Sequence, residues 1–385
     1  MRYLVSIVML CTLAACGEVT SDTVDASSQI DAPGTCDPAC GANATCQGTA
    51  CVCDAGYQMA AGVCADIDEC ATANGGCAAD AVCFNTPGAR TCACRAGFLG
   101  DGLTCAPVWT LQATLPFDIN PSNFGSAFVA HNNLVYIGIE TNTPTAKAFR
   151  SFNTSNLLLS GPLALPPTTD DDFCACGATQ TMASNGTSVF MFGNYAQLYN
   201  PTANTWSPIA GYTSPVDYRR AESASVYNPM NGSVQMFGDR GPTAEALNYR
   251  VSPSGFSFDA NLPIAISDAV AFLPLNGATI YLAGGEQQGG ADRILSRPTN
   301  LASWTIHAAA PGSIRSPIGM GDFGTRIWVA AAGKIHFFNP TTLAWDITRD
   351  LPARTQGVVT TNVGTFAFVH TTTAMLEVYR LATIE

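Results

Sequence analysis

Leu198-Tyr199-Asn200-Pro201-Thr202-Ala203-Asn204-Thr205-Trp206 comes back in pattern as Phe337-Phe338-Asn339-Pro340-Thr341-Thr342-Leu343-Ala344-Trp345. An apolar pair runs into Asn-Pro, which ends a strand because proline brings no N–H to the ladder. A Trp then opens the next strand. Turns recur at Asn132-Asn133, Asn185-Gly186, Asn231-Gly232, Asn276-Gly277, Asp322-Phe323-Gly324 and Asn362-Val363-Gly364. Asn and Gly tolerate the positive φ that tight hairpins require. Each turn is followed by an apolar strand: Leu134–Gly138, Val189–Gly193, Val234–Gly238, Ile280–Gly284, Ile327–Ala331 and Phe366–His370. The last residues of these strands step by 55, 45, 46, 47 and 39. Self-similarity at such a period marks a repeat architecture, in which each unit buries its faces against its neighbours.

The repeat resembles the Kelch type, with galactose-oxidase-like architecture. Where Kelch repeats carry two glycines after the second strand, most copies here carry one. The fourth has the pair, Gly284-Gly285, and the fifth and sixth have none. The resemblance implies a mainly β fold, with a six-bladed propeller over residues 107–385. The last repeat stops three strands in, at Ala374–Arg380, and Trp109-Thr110-Leu111-Gln112 resembles the outer strand Trp345-Asp346-Ile347-Thr348. The N-terminal segment is therefore expected to complete the sixth blade and so remove the loose edges of the ring.

Cysteine divides the chain. Fourteen of the 16 cysteines lie at or before Cys105. So dense a set in so short a stretch implies disulfides and an oxidising compartment. The two sets are Cys36, Cys40, Cys46, Cys51, Cys53, Cys64 and Cys70, Cys77, Cys83, Cys92, Cys94, Cys105. Spacing alone leaves fifteen pairings open for each set of six. The order, the Cys-x-Cys step, Gly56-Tyr57 and Gly97-Phe98 resemble EGF-like modules, here 36–64 and 66–105. That resemblance implies the pairs Cys36–Cys46, Cys40–Cys51 and Cys53–Cys64, then Cys70–Cys83, Cys77–Cys92 and Cys94–Cys105.

Asp66-Ile67-Asp68-Glu69-Cys70, with Asn85 two residues after Cys83, resembles the calcium-binding EGF signature. Calcium takes six to eight hard oxygen ligands. The resemblance implies side-chain ligands Asp66, Glu69 and Asn85, with backbone carbonyls from Ile67, Thr86 and Ala89. Arg90 stands where the family carries an aromatic residue. No such acidic run precedes Cys36, so one calcium ion is expected. Only Ala65 separates the modules, and Tyr57 is expected to pack on the Pro87-Gly88 turn.

The first fifteen residues read as a signal peptide: Arg2, an apolar run, then small residues. Leu13-Ala14-Ala15-Cys16 resembles the bacterial lipobox, which implies acylation of Cys16 and attachment to a lipid membrane at the cell envelope. Several acyl chains hold firmly, at about 0.8 kcal/mol per buried CH₂. Residues 17–35 are mostly Ser, Thr, Asp, Ala, Gly and Pro with little to bury, so 16–35 reads as a lipidated flexible tether with a reach of roughly 25 Å.

Composition narrows the partners. Charged residues make up 12% and the formal net charge is −12. An acidic surface repels phosphate backbones, so no nucleic acid partner is expected. The apolar runs are too short to span a bilayer as helices.

The long step between the first and second repeats contains Asp170-Asp171-Asp172-Phe173-Cys174-Ala175-Cys176. Cys174 and Cys176 pair most simply with each other; a metal site built with the three Asp is the alternative. Arg220, Arg315 and Arg354 share a phase just before the first strand of blades 3, 5 and 6. Equal phase means equal height, and guanidinium forks suit carboxylates. These three are the candidate ligand-binding arginines, with a structural role as the alternative. Neither HExxH, GxSxG nor a phosphate-cradling loop occurs, so no catalytic residue is assigned. The preferred reading is a non-enzymatic recognition or adhesion lipoprotein whose propeller binds a protein or glycan. A secreted carbohydrate-active enzyme and a ligand-free spacer remain as alternatives.

Overall fold

The computed structural model describes residues 36–95, 97–116, 126–140, 147–166, 181–192, 196–210, 224–238, 248–252, 255–259, 261–266, 269–274, 277–284, 292–301, 303–373, 375–382 and 384. The chain divides into two compact units. One holds the residues up to Ala71 together with Phe84–Thr91; the other holds Thr72–Cys83 with Cys92–Glu385. The division runs through the second cysteine set. Cys16, Cys174, Cys176 and Arg220 lie outside the described residues.

The first unit has almost no apolar core. Two short hairpins, Ala44–Gln47 with Ala50–Cys53 and Tyr57–Ala60 with Val63–Asp66, carry it. Bridges Cys36–Cys46, Cys40–Cys51 and Cys53–Cys64 staple them. Each closed loop is worth about 2–4 kcal/mol, which replaces the burial so small a module lacks. In the second unit, Cys77–Cys92 and Cys94–Cys105 do the same. Cys70 and Cys83 are disulfide-bonded as well.

The rest of the second unit is a six-bladed β-propeller of four-stranded antiparallel sheets. The inner strands, in blade order, are Ser126–His131, Thr181–Ser184, Ala224–Asn228, Ala269–Phe272, Gly319–Phe323 and Thr355–Thr361. The second strands are the apolar ones that follow the turns, and they are buried throughout in blades 2, 3 and 5 except for one half-buried residue, Arg326. Asn132 at φ 56° and Gly232 at φ 67° make the hairpin turns that the sequence pattern requires. Asp322 is not a turn residue: the inner strand of blade 5 runs on through Phe323, and Gly324 at φ 63° turns the chain.

The sixth blade is completed from the far end of the chain. Trp109–Leu115 pairs antiparallel with Leu376–Leu381, Leu115 facing Leu376 and Trp109 facing Leu381. Six apolar clusters fill the six gaps between consecutive blades. The one that closes the ring packs Leu115, Phe366, Phe368 and Val378 of blade 6 against Val135, Ile137 and Phe152 of blade 1. Burying both faces of every sheet in this way leaves few titratable groups inside.

Tryptophan at the start of the fourth strand ties blade to blade. Trp206 Nε1 of blade 2 donates to the Ala164 carbonyl beyond blade 1 at 2.8 Å. Trp345 of blade 5 donates to Ala308 of blade 4 at 3.0 Å, and Trp109 of blade 6 to Asp350 of blade 5 at 3.0 Å. Blade 4 uses a different contact: Trp304 meets Phe237 of blade 3 edge-on and lies under the buried Arg297 guanidinium. Arg297 also donates to Gln235 Oε1 and faces Asp259 at 4.0 Å. Burial lowers its pKa from the usual guanidinium value, and the Asp259 charge opposes that shift.

Three histidines are buried, each against one hydroxyl. His131 Nδ1 lies 2.9 Å from Ser184 Oγ, His307 Nε2 2.7 Å from Ser296 Oγ, and His336 Nδ1 3.0 Å from Thr348 Oγ1. Burial pushes all three imidazoles down; at His336 the Lys334 charge adds to this and Asp292 opposes it. A folded-state pKa below the unfolded one means that the unfolded chain binds more protons between the two. The stabilisation is complete above the unfolded value of about 6.5 and is lost as pH falls through the folded values. The melting temperature is therefore expected to hold above about pH 7 and to drop between about pH 6.5 and 5. A triple His131→Asn, His307→Asn, His336→Asn variant should show a shallower slope there. A wild-type melting temperature unchanged across that window contradicts the assignment.

Candidate functional site

Among the described residues, two places are candidates for a site, one in each compact unit. The first is built where the strand Val63–Asp66 runs into a single 3-10 turn, Glu69–Ala71. Asp68 accepts the Cys70 N–H at 3.0 Å and so caps that turn, leaving Asp66 and Glu69 for other partners. Asp66 Oδ2 accepts from Asn85 Nδ2 at 2.7 Å, and Oδ1 accepts the Gly88 N–H. Thr86 Oγ1 donates to the Ala89 carbonyl at 2.8 Å, which fixes the hairpin tip. The structure thus brings Asp66 against Asn85, with Thr86 and Ala89 on the same tip.

Glu69 Oε2 is buried and accepts no hydrogen bond. A buried carboxylate oxygen without a donor is costly, about 1–3 kcal/mol or more for a charged group. The six groups that the resemblance implies, the Asp66, Glu69 and Asn85 side-chain oxygens and the Ile67, Thr86 and Ala89 carbonyls, are all hard oxygen donors, a type that suits a hard divalent cation better than a soft one. Here Asp66 accepts from Asn85 and Gly88, and the Ala89 carbonyl from Thr86.

The backbone around this set is tightly apposed. The Ile67 N–H donates to the Gly56 carbonyl at 2.9 Å. A Cβ on Gly56, whose φ is +84°, would fall 2.1 Å from the Gly88 carbonyl oxygen, and one on Gly88 would fall 2.6 Å from the Tyr57 ring. Tyr57 therefore rests on Gly88, and neither glycine has room for a side chain.

The second place is the propeller channel, a cavity of about 660 Å³. Its wall comes from the inner strands of all six blades, mostly Ala, Val, Phe, Met and Pro. Phe128, Tyr227 and Phe272 line it from blades 1, 3 and 4, while Phe128 stacks on Phe368, Tyr227 on Phe190, and Phe272 packs on the apolar cluster between blades 4 and 5. Asp322, from blade 5, is the one carboxylate among the described lining residues. Its backbone carbonyl is held by Trp328 Nε1 at 3.1 Å, Thr360 Oγ1 at 3.2 Å and Thr365 Oγ1 at 3.4 Å. Burial pushes its carboxyl above the usual carboxylate range, against a smaller opposing effect from its own backbone N–H.

Arg315 and Arg354 both fall in connections from a fourth strand to the next inner strand, which in an antiparallel blade puts them at the same end of the channel. Neither belongs to the cavity lining. Arg315 is exposed and its Nε lies 3.9 Å from Asp292 Oδ1. Arg354 is exposed in a left-handed conformation, φ 66°, and its carbonyl accepts the His370 N–H. Sequence analysis does not single out Asp322, Phe128, Tyr227 and Phe272 as a group: the last three precede the turns of their repeats, a shared signal, whereas Asp322 is hidden by its assignment to the turn itself.

Comparison with known proteins places two of these parts. An EGF domain model matches residues 70–105, so the chain contains an EGF-like domain there. Adhesion G protein-coupled receptor E5 of Bos taurus is 35% identical over 97 residues, 21% of this chain and 13% of the receptor. Nidogen-2 of Mus musculus is 37% identical over 83 residues, 21% of this chain and 6% of that protein. Protein disulfide isomerase CRELD2 of Homo sapiens is 37% identical over 81 residues, 20% of this chain and 23% of that one. The chain thus spans less than a quarter of each of these relatives. The solved structure of YjhT aligns with a TM-score of 0.51 and 15% identity over 68% of this chain and 95% of that one, a likeness of fold. Among the described residues no helix is long and apolar enough to cross a membrane.

The Gly56–Gly88 apposition yields a direct test. Gly56→Ala is expected to open it and to speed hydrogen exchange at the Ile67 amide by about tenfold or more. Gly62→Ala, also at φ +84° but with nothing within 4 Å of its Cβ, should leave that amide nearly unchanged. Equal exchange in the two variants would mean that the close approach has no role.

Proposed function

We propose that this chain is a lipoprotein of the bacterial cell envelope, anchored through acylated Cys16, that holds a Kelch-type propeller away from the lipid for recognition or adhesion. The outer membrane or cell surface is the location that suits this arrangement. One calcium ion at Asp66, Glu69 and Asn85, with the Ile67, Thr86 and Ala89 carbonyls, stiffens the joint on which Tyr57 and Gly88 meet. The observation that supports the reading is the buried Glu69 oxygen, which has no hydrogen-bond partner. The ion supplies the counter-charge that the carboxylates lack, and the residues hold it between an N-terminal turn and a hairpin tip. A stiff stalk has a use when something at its far end must be kept clear of a surface.

EGF-like domains and a propeller accord with an extracellular recognition role, and the names of the receptor and of nidogen-2 are those of proteins other than enzymes. The name of CRELD2 carries an isomerase activity. The partner we assign to the propeller is a protein or a glycan, and no nucleic acid.

Calorimetric titration should find one calcium site in the wild type. Asp66→Asn and Glu69→Gln should each weaken it by about tenfold or more, since affinity in such sites follows ligand charge. Unchanged affinity in both variants would remove calcium from this joint.

The wider reading is tested by presenting the full chain to glycan and surface-protein arrays, with and without EGTA, beside a Cys16→Ala variant fractionated from cells. Saturable binding that chelation abolishes, with Cys16→Ala released from the membrane fraction, is the expected result. Turnover of a polysaccharide, or membrane retention without Cys16, would overturn it.

A further inference from the structure

We propose that the propeller channel binds a small organic cation with apolar substituents, an alkyl- or arylalkylammonium, against Asp322 and the rings of Phe128, Tyr227 and Phe272. This stands apart from the surface-partner reading and from the calcium joint, since it concerns the interior of the ring.

Size comes first. A cavity of about 660 Å³ is in the range of small-molecule sites, roughly 300–1,000 Å³. Small residues, Ala127, Ala224 and Ala271 among them, contribute to its wall. Its wall is mostly apolar, so the ligand's bulk is apolar too.

Charge then selects the sign. Among the described lining residues there is no Lys, Arg or His, and Asp322 is the only carboxylate. The Asp322 backbone is fixed by Trp328, Thr360 and Thr365, while its carboxyl pairs with no other side chain among the described residues. A desolvated carboxylate in a low-dielectric cavity gains most from an opposite charge, because Coulomb interactions there are weakly screened. Aromatic faces add to the same preference, as ring quadrupoles attract cations. A formal net charge of −12 on the whole chain favours entry of cations over anions.

A metal ion does not suit the site. Hard cations need six or more oxygen donors, or waters held by such donors, and one carboxylate in an apolar wall falls far short. A neutral hydrocarbon fills the volume but leaves Asp322 uncompensated. A quaternary alkylammonium, less strongly hydrated than a primary one, satisfies both wall and carboxylate.

The test uses the full chain and three probes of similar shape: benzyltrimethylammonium, its neutral carbon isostere neopentylbenzene, and benzenesulfonate. Ligand-detected NMR and calorimetry should show one equivalent of the cation bound about tenfold or more tighter than the isostere, with the anion unbound. Intermolecular NOEs should run from the probe methyls to Phe128, Tyr227 or Phe272. Asp322→Asn, nearly isosteric, should abolish the discrimination between cation and isostere with the melting temperature kept. Phe272→Leu should weaken the cation more than the isostere, and it carries the decision alone if Asp322→Asn does not fold. No saturable binding of the cation by folded protein, equal affinity for all three probes, or discrimination that survives both variants would each overturn the proposal.

Discussion

Seven residues from the start of the propeller, Trp109–Leu115, hold its end in place by pairing with Leu376–Leu381. Without that strand the sixth blade would present an open edge, and the last apolar gap would have one wall. A ring has no terminal repeat that can be capped with polar residues, so it must be closed by the chain itself. Closure from the opposite terminus makes the pairing of Trp109–Leu115 with Leu376–Leu381 the most non-local one among the described strands. It also accounts for the phase of the repeat, which begins on an outer strand and ends on a third one.

The same closure explains the tryptophans. A blade packed on its neighbour through Ala, Val, Leu and Phe is free to slide, since apolar contact has little direction. The indole N–H adds direction at the outer rim, where Trp206, Trp345 and Trp109 each reach a carbonyl of the preceding blade. Such a bond is worth only about 0.5–1.5 kcal/mol net; its value lies in fixing the angle between sheets. The channel is then the space that six sheets at fixed angles cannot fill. Its volume follows from ring geometry, and its chemistry follows from the side chains the inner strands carry into it.

Much of this was legible in the sequence because turns and strand ends have strict local chemistry. Asn132 and Gly232 sit at positive φ as their types require, and Asn-Pro followed by Trp marks the third and fourth strands. The second strands announce themselves because both of their faces are buried. Inner strands are harder to read. Ser225, Asp322 and Thr360 are polar residues on strands that face other strands on each side and a cavity at the edge, so no clean alternation appears. Arg315 and Arg354 share a phase, and the structure puts them at one end of the channel. Phase fixes height along the axis and says nothing of radial distance, which depends on how each connection turns. The acidic run at Asp66–Cys70 stands out for the opposite reason, since such signatures are short and local. The Glu69 oxygen without a donor emerges only from packing.

The path from the cysteine-rich segment into the ring is short and doubly tied. Cys94–Cys105 closes a loop whose end runs directly into Val108. Val108 donates to the Gly97 carbonyl at 2.9 Å and accepts from Ala382 at 2.8 Å. Its side chain is buried with Trp328, Leu351, Leu381 and Ile384, and Leu99 packs on the same cluster. One residue thus belongs to the cysteine-rich fold by its N–H and to the propeller by its carbonyl and side chain. Any load carried along the N-terminal segment enters the ring at Trp109, the first residue of the closing strand. There it meets the Trp109–Asp350 bond and the pairing with Leu381 before it can reach the sheet interior. An antiparallel ladder of six paired positions resists such a pull collectively when loaded along its length. Closing the ring with the strand that follows the cysteine-rich segment therefore makes one element serve both as clasp and as link.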